Sequence, residues 1–356
     1  MLTMANDTHT FASMPHRGKE VATLLLPQPF ISQCNQWGRA RQPFLFLIDF
    51  KGMRPMLWPL DHIDPNILQY QIGPWSNCPP ARPFEGHYCW QISPPSFARY
   101  AQAFELVQAA LHRGDSYLIN LTWPTKLTTD LSLYSIFAHS EAWCRLWWRD
   151  HFTVFSPEKF VCIQGQTIST YPMKGTIDAR LPYARARLLA DEKERSEHMT
   201  IVDLLRNDLS QLASNVHVRQ LRYLELVPTR QGPLWQASSE ICGSLSPNWP
   251  HRLGHILATL LPAGSVTGAP KRRTVELIEE VEPYARGYYT GIAGIFDGQS
   301  LYSAVLIRFI EQTSEGLIYK SGGGITTNSV LEKEYEELIA KVYLPLRQTT
   351  QTSTYT

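Results

Sequence analysis

The stretch from Tyr288 to Ile310, YYTGIAGIFDGQSLYSAVLIRFI, decides how the rest of this chain is read. Its β-branched and aromatic residues read as strands, and Leu317 to Tyr319 reads as another. On its N-terminal side a helix is expected from Pro270, a residue suited to a first helical position, to just before Pro283. On its C-terminal side the last helix is expected after Ser329, whose hydroxyl with Glu332 makes an S-x-x-E capping box. Farther out, Phe97 to Arg113 puts Tyr100, Phe104, Val107, Ala110 and Leu111 on one helical face, with Gly114 as a stop. A long helical pattern runs from about Tyr183 to Leu212. The part before Phe97 reads as β-rich, with a β-former run from Phe44 to Phe50 and short pieces from Trp58 to Tyr70. Grouped strands with irregularly placed helices predict an α+β protein, not a doubly wound sheet.

The 356 residues are 44% hydrophobic and carry 33 basic against 32 acidic side chains, with no long run of either sign. That balance argues against a nucleic-acid groove or a membrane-surface patch, both of which need concentrated positive charge. The six cysteines are scattered and form no CxxC pair, so reduced thiols are expected. Met1 to His16 lacks an apolar signal core, and apolar runs are strand-length. The chain reads as soluble and cytoplasmic.

Several constellations could carry chemistry. Glu194 and Glu197 share a face of one expected helix, and Glu334 and Glu337 repeat the spacing in the last. Four carboxylates from two helices suit a hard cation such as Mg²⁺, although the same spacing also describes a solvated helix face. Pro262 to Lys271 puts a small-residue loop at a helix start, which is either an anion site or a tight turn. Leu301 to Arg308 is an apolar strand ending in a cation that wants a carboxylate unless it lies in water. Ser321-Gly322-Gly323-Gly324 allows a close backbone approach, with a plain turn slightly favoured. Lys174 sits among small and apolar neighbours, where burial would lower its pKa and free an amine nucleophile; most lysines are simply solvated.

In order along the chain, these segments resemble the chorismate-utilising enzymes. The matching pieces are Gly114 to Tyr117, Ser156-Pro157-Glu158, Pro172 to Thr176, Glu197-His198-Met199 running into Asp203 to Leu209, and Ser239 to Leu245. Pro262 to Lys271, Arg286 to Gly291, Ile307-Arg308, Gly322 to Ile325 and Glu334 to Glu337 complete them. The P-x-K-G-T segment is similar to that of aminodeoxychorismate synthase, where anthranilate synthases carry alanine in place of Lys174. The resemblance implies two large antiparallel sheets in a sandwich flanked by helices. The chain reads as one domain, with a β-rich part at 1–96, a catalytic core at 97–346 over which the resemblance runs, and a flexible tail at 347–356.

The resemblance also implies roles. Lys174 would attack C2 of chorismate, and Glu158 would be the general acid/base for the departing 4-hydroxyl. Glu197 and Glu337 would hold Mg²⁺, with Glu194 and Glu334 supporting through water. Arg308 and Tyr289 would hold the enolpyruvyl carboxylate, Ser265 and the Gly324 backbone would place the ring, and Lys341, Thr176 and Gln236 would be further substrate contacts. Chorismate C4 would be aminated to 4-amino-4-deoxychorismate, for 4-aminobenzoate and folate synthesis. Since no Cys/His/Glu amidotransferase signature is visible, ammonia would come from a separate glutamine amidotransferase subunit or from solution.

Leu118 occupies the position of the water-activating lysine of isochorismate and salicylate synthases, which disfavours water addition. Gln236 stands where anthranilate synthases have a catalytic histidine. The rival within the family is anthranilate synthase component I. A rival of another class is a silent binding or scaffold subunit using Trp143, Trp147 and Trp148 as an interface; gathering so many site charges would bring it nothing.

Overall fold

In the computed structural model, residues 9–10, 26–227 and 232–346 are described. Phe44–Ile48 shows why its architecture is layered. All five residues are buried, with Phe44, Phe46 and Ile48 in one apolar cluster and Leu45 and Leu47 in another. A strand with apolar residues on both faces belongs to a sheet covered on both sides.

The chain begins with β1 (His9–Thr10), α1 (Gln28–Arg39), β2 (Phe44–Ile48), β3 (Met56–Pro59), β4 (Leu68–Ile72), β5 (Trp75–Ser76) and β6 (Trp90–Ser93). It continues with α2 (Phe97–His112), β7 (Leu118–Thr129), α3 (Leu133–His139), β8 (Cys144–Trp148), β9 (Phe152–Ser156), β10 (Lys159–Gln164) and β11 (Thr167–Thr170). Then come β12 (Met173–Asp178), α4 (Ala184–Ala190), α5 (Glu192–Ser210), β13 (Ser214–Val227), β14 (Leu234–Ser244), α6 (Leu253–Leu260) and β15 (Gly268–Ala269). The last part holds α7 (Lys271–Val281), β16 (Ile292–Phe296), β17 (Leu301–Val305), β18 (Phe309–Thr313), β19 (Gly316–Ile325) and α8 (Leu331–Ala340).

A 10-stranded sheet runs β1-β3-β2-β16-β17-β10-β11-β14-β12 with β13 on β14, and a 9-stranded sheet runs β15-β7-β19-β18-β9-β8-β4-β5 with β6 on β7. The central pairings are antiparallel, including β2 with β16 and β7 with β19. Leu45, Leu47 and Ala304 of the first sheet meet Leu146, Val154 and Phe309 of the second. On the outer face of the first sheet, α1, α5 and α6 bury Phe30, Val202 and Leu257 against Phe46 and Ile241. Outside the second, α2, α7 and α8 bury Val107, Ile278 and Leu338 against Leu121 and Ile325. The expected α+β sandwich with flanking helices is what the chain forms. No helix of the described residues is long and apolar enough to cross a membrane, and all six cysteines are free.

Several local expectations are corrected. The part before Phe97 is not only β: α1 buries Phe30, Ile31, Cys34 and Trp37 along one stripe, a helical period in otherwise polar sequence. The pattern from Tyr183 to Leu212 is two helices, because Asp191 leaves helical geometry and accepts from the Glu194 backbone N–H at 2.9 Å as the cap of α5. Pro270 caps α7 instead of starting it. The Ser329–Glu332 capping box does not form: Val330 is the cap residue, and the Ser329 hydroxyl accepts from Thr326 N–H at 3.2 Å. The triple glycine is no turn. Gly322, Gly323 and Gly324 lie inside β19, opposite Thr122, Leu121 and Asn120 of β7. A Cβ at Gly322 would come within 2.6 Å of the Leu121 carbonyl, so the close approach demands glycine. The expected tail, 347–356, and Met1 to His16 fall almost wholly outside the described residues.

Candidate active site

Lys174 owes its direction to an irregularity in β12. The register against β14 shifts between Met173 and Thr176, and Gly175 has φ +91°. Such a bulge re-aims the side chains beside it. Lys174 Nζ thereby reaches Glu197 Oε2 of α5 at 2.8 Å. A Cβ on Gly175 would stand 2.9 Å from Glu194 Oε2, so glycine is needed for the conformation and for the neighbour.

Glu194 and Glu197 lie on the same side of α5, as their spacing predicts. The second pair arrives on α8 and faces Gly323, whose missing Cβ would be 3.4 Å from Glu337 Oε1 and 3.6 Å from Glu334 Oε2. Lys341, just past α8, pairs with Glu337 at 2.6 Å and donates to the Gly322 carbonyl at 2.7 Å. The charges of Glu197, Glu337 and Glu194 all act on Lys174, so both helices converge on one ammonium.

The expected depressed pKa of Lys174 is overturned. Burial pushes the amine down, but Glu197, followed by Glu337 and Glu194, outweighs it and holds Lys174 above its ordinary value. Burial also raises Glu194 and Glu334. Glu337 resists that pressure and falls, because Lys341 lies against it.

For a divalent cation the residue chemistry fits in kind. All four groups are carboxylates, and Glu194 Oε2 is buried with no hydrogen-bond partner. The described residues do not present a closed set of three or more ligands, since Glu197 and Glu337 are turned onto lysines.

Glu158 precedes β10 and accepts a hydrogen bond from the Ser265 hydroxyl. Burial raises its pKa, against the lowering effect of Ser265, Arg308 and Lys341. A small cavity beside it is lined by Glu158, Thr170, Tyr171, Ala263 and Ser265. Arg308 sits between β17 and β18 at φ +56°, with Tyr343 Oη 3.5 Å from Nε and that ring 5.4 Å away. No carboxylate of the described residues forms an ion pair with it, which leaves a half-buried guanidinium open to an anion. Tyr289 is buried within the electrostatic reach of Arg308 and Glu158. Lys341 links the two halves, as its pKa, lowered by burial, also responds to Glu337, Arg308 and Lys174. Gly324 lies on β19 next to Gly323, with the Leu118 side chain 3.1 Å from where its Cβ would be.

Thr176 and Gln236 face each other across β12 and β14, and Thr176 is exposed. No hydrogen bond among the described residues ties either to the charged cluster. Two residues of the quoted segments were given no role in the sequence, because a buried polar role has no spacing signature. Arg286, fully enclosed, pairs with Glu282 and donates to the carbonyls of Val266 at 2.8 Å and Asn120 at 2.6 Å. It thus joins the Ser265 turn to the residue opposite Gly324. The other is His198, beside Glu197. Within the Asp203 to Leu209 segment, Asp208 is buried and pairs with Lys271 at 2.8 Å, while Arg206 is exposed. Trp147 and Trp148 pack against Tyr134 and Trp58, so they serve apolar packing.

Fold and site together place the chain in one class, the chorismate-binding enzymes. The chain belongs to the chorismate binding enzyme family, whose model matches residues 63–347. It is 53% identical over 322 residues to an uncharacterized PabA-like protein of Pasteurella multocida, covering 89% of this chain and 98% of that protein. It is 32% identical over 282 residues to aminodeoxychorismate synthase component 1 of Salmonella typhimurium, covering 74% of this chain and 60% of that protein. Anthranilate synthase component I from Streptococcus pneumoniae is similar at a TM-score of 0.60 and 26% identity, over 71% of this chain and 58% of that one. The menaquinone-specific isochorismate synthase of Escherichia coli, at TM-score 0.66 and 19% identity over 88% and 80%, shares the fold.

Proposed function

We propose that this chain converts chorismate and ammonia to 4-amino-4-deoxychorismate, with Lys174 as nucleophile and Glu158 as acid/base. The observation that carries the reading is the convergence on one site of Lys174, two acidic pairs and an unpaired Arg308. Leu118 supports amination over hydration: it packs beside Gly324 and has no group that could take a proton from water.

Arg308 would take a substrate carboxylate in place of the missing protein partner. The Lys174 amine, once deprotonated, would attack C2 while the ring double bond shifts and the 4-hydroxyl leaves with a proton from Glu158 as water. Ammonia would add at C4, return a proton to Glu158, and the reverse shift would expel Lys174. A Mg²⁺ ion, when bound by Glu197 and Glu337 with Glu194 and Glu334 behind, would neutralise the ring carboxylate and make the ring electrophilic. Ammonia would come from a separate glutamine amidotransferase, and the product would feed 4-aminobenzoate and folate synthesis in the cytoplasm.

The test is chorismate with ammonium and Mg²⁺, products resolved by chromatography. 4-Amino-4-deoxychorismate is expected from the wild type, with a loss of at least about 1000-fold in Lys174→Ala, the scale of removing a covalent nucleophile. Anthranilate with pyruvate, or isochorismate, as the main product would replace this reading.

A further inference from the structure

The bulge that aims Lys174 is supported from β14 and α5. Lys174 and Gly175 have no registered partner across β12 and β14, so the backbone there depends on other contacts. Ser239 of β14 supplies one: its N–H donates to the Pro172 carbonyl at 2.9 Å. His198, fully buried on α5, supplies the other, with Nε2 2.6 Å from Ser239 Oγ and Nδ1 a longer 3.4 Å from the Lys174 carbonyl oxygen. The proton positions follow from the partners. Arg222 N–H donates to Ser239 Oγ at 2.9 Å, so the hydroxyl is free to give its own hydrogen to Nε2. The ring proton then sits on Nδ1, where it can donate to the carbonyl; the opposite tautomer would set a lone pair against that oxygen.

We propose that His198 is a positioning residue, the Nδ1–H tautomer that pins the Lys174 backbone in its bulge and so aims the amine at the ring. Ser239 fixes the tautomer and grips the segment on its other side. The inference rests on the reading of Lys174 as nucleophile, but its geometry can be measured without any turnover.

Two measurements test it. In protein labelled with ¹⁵N-histidine, with the His198 signals identified by their loss in His198→Asn, the ring at pH 7.5 should carry its proton on Nδ1. A proton on Nε2 overturns the proposal whatever the enzyme makes. In chorismate amination, His198→Leu should lose about 100-fold in kcat with KM for chorismate nearly unchanged, the scale expected for a reacting group displaced by about 1 Å. His198→Asn, whose amide nitrogen can replace Nδ1, should recover most of that loss. Ser239→Ala, a milder change, should lower kcat in the same direction if His198→Leu does not fold. Unchanged kcat in Ser239→Ala, or no rescue by asparagine, contradicts the role. If the wild type does not aminate chorismate but the proton is on Nδ1, the functional reading fails and the pinning contact stands.

Discussion

Burial raises the pKa of Glu158, and three neighbours pull the other way: the Ser265 hydroxyl, then the charges of Arg308 and Lys341. As the proposed acid, Glu158 must hold its proton to give it, so activity should fall as pH rises through this pKa. Removing the Ser265 hydroxyl removes a lowering influence, and the protonated form then persists to higher pH. Ser265→Ala should accordingly move the alkaline limb of kcat/KM upward; a downward shift in the pH–rate profile would show that Glu158 is not the group titrating. At this scale much was legible. Lys174, Glu158, Arg308 and the four glutamates lie within a connected electrostatic network through Lys341. The ionisation of Lys174 was not legible, because its neighbours in sequence are small and apolar while Glu197 and Glu337 arrive from other elements. His198 was hidden for the same reason, since the carbonyl it reaches lies 24 residues away.

Among the elements, the turn that carries Ser265 is held by an ion pair between the buried Asp208 of α5 and the partly buried Lys271 of α7. Gly264 belongs to the same packing, its Cβ position 3.1 Å from Asp208 Oδ2. Burial raises the Asp208 pKa and lowers that of Lys271, each opposed by its partner, so neither charge is comfortable alone. Lys271→Met should therefore cost about 3–5 kcal/mol by denaturant unfolding, as expected when one buried charge is left unpaired. Adding Asp208→Leu should recover most of that; additive losses in the double mutant would mean the two side chains act independently. Element boundaries were readable where a cap or stop stands in sequence, as at α2 before Gly114. They were misread where a competing local bond or a tertiary contact decides. The Ser329 hydroxyl accepts from Thr326 N–H, and the glycines of β19 serve strand packing. The stripe of α1 was present but diluted by polar residues.

For the whole molecule, the α+β class follows from grouped strands and scattered helices, but the sheet order does not. β2 pairs with β16, far apart in the chain, and such pairings leave no local trace. They nonetheless build the site, because the first sheet brings Lys174 on β12 while the second brings Gly323 and Gly324 on β19, with α5 and α8 closing from outside. In this assembly Lys174 is the proposed nucleophile toward a cyclohexadiene acid. Incubating the protein with chorismate and Mg²⁺ without ammonia, then reading intact mass and the modified peptide by mass spectrometry, tests it most directly. The expected result is an added mass equal to chorismate less one water, carried by Lys174 and absent in Lys174→Ala. An unmodified chain that still forms 4-amino-4-deoxychorismate when ammonia is added, or an adduct on a different residue, would contradict it.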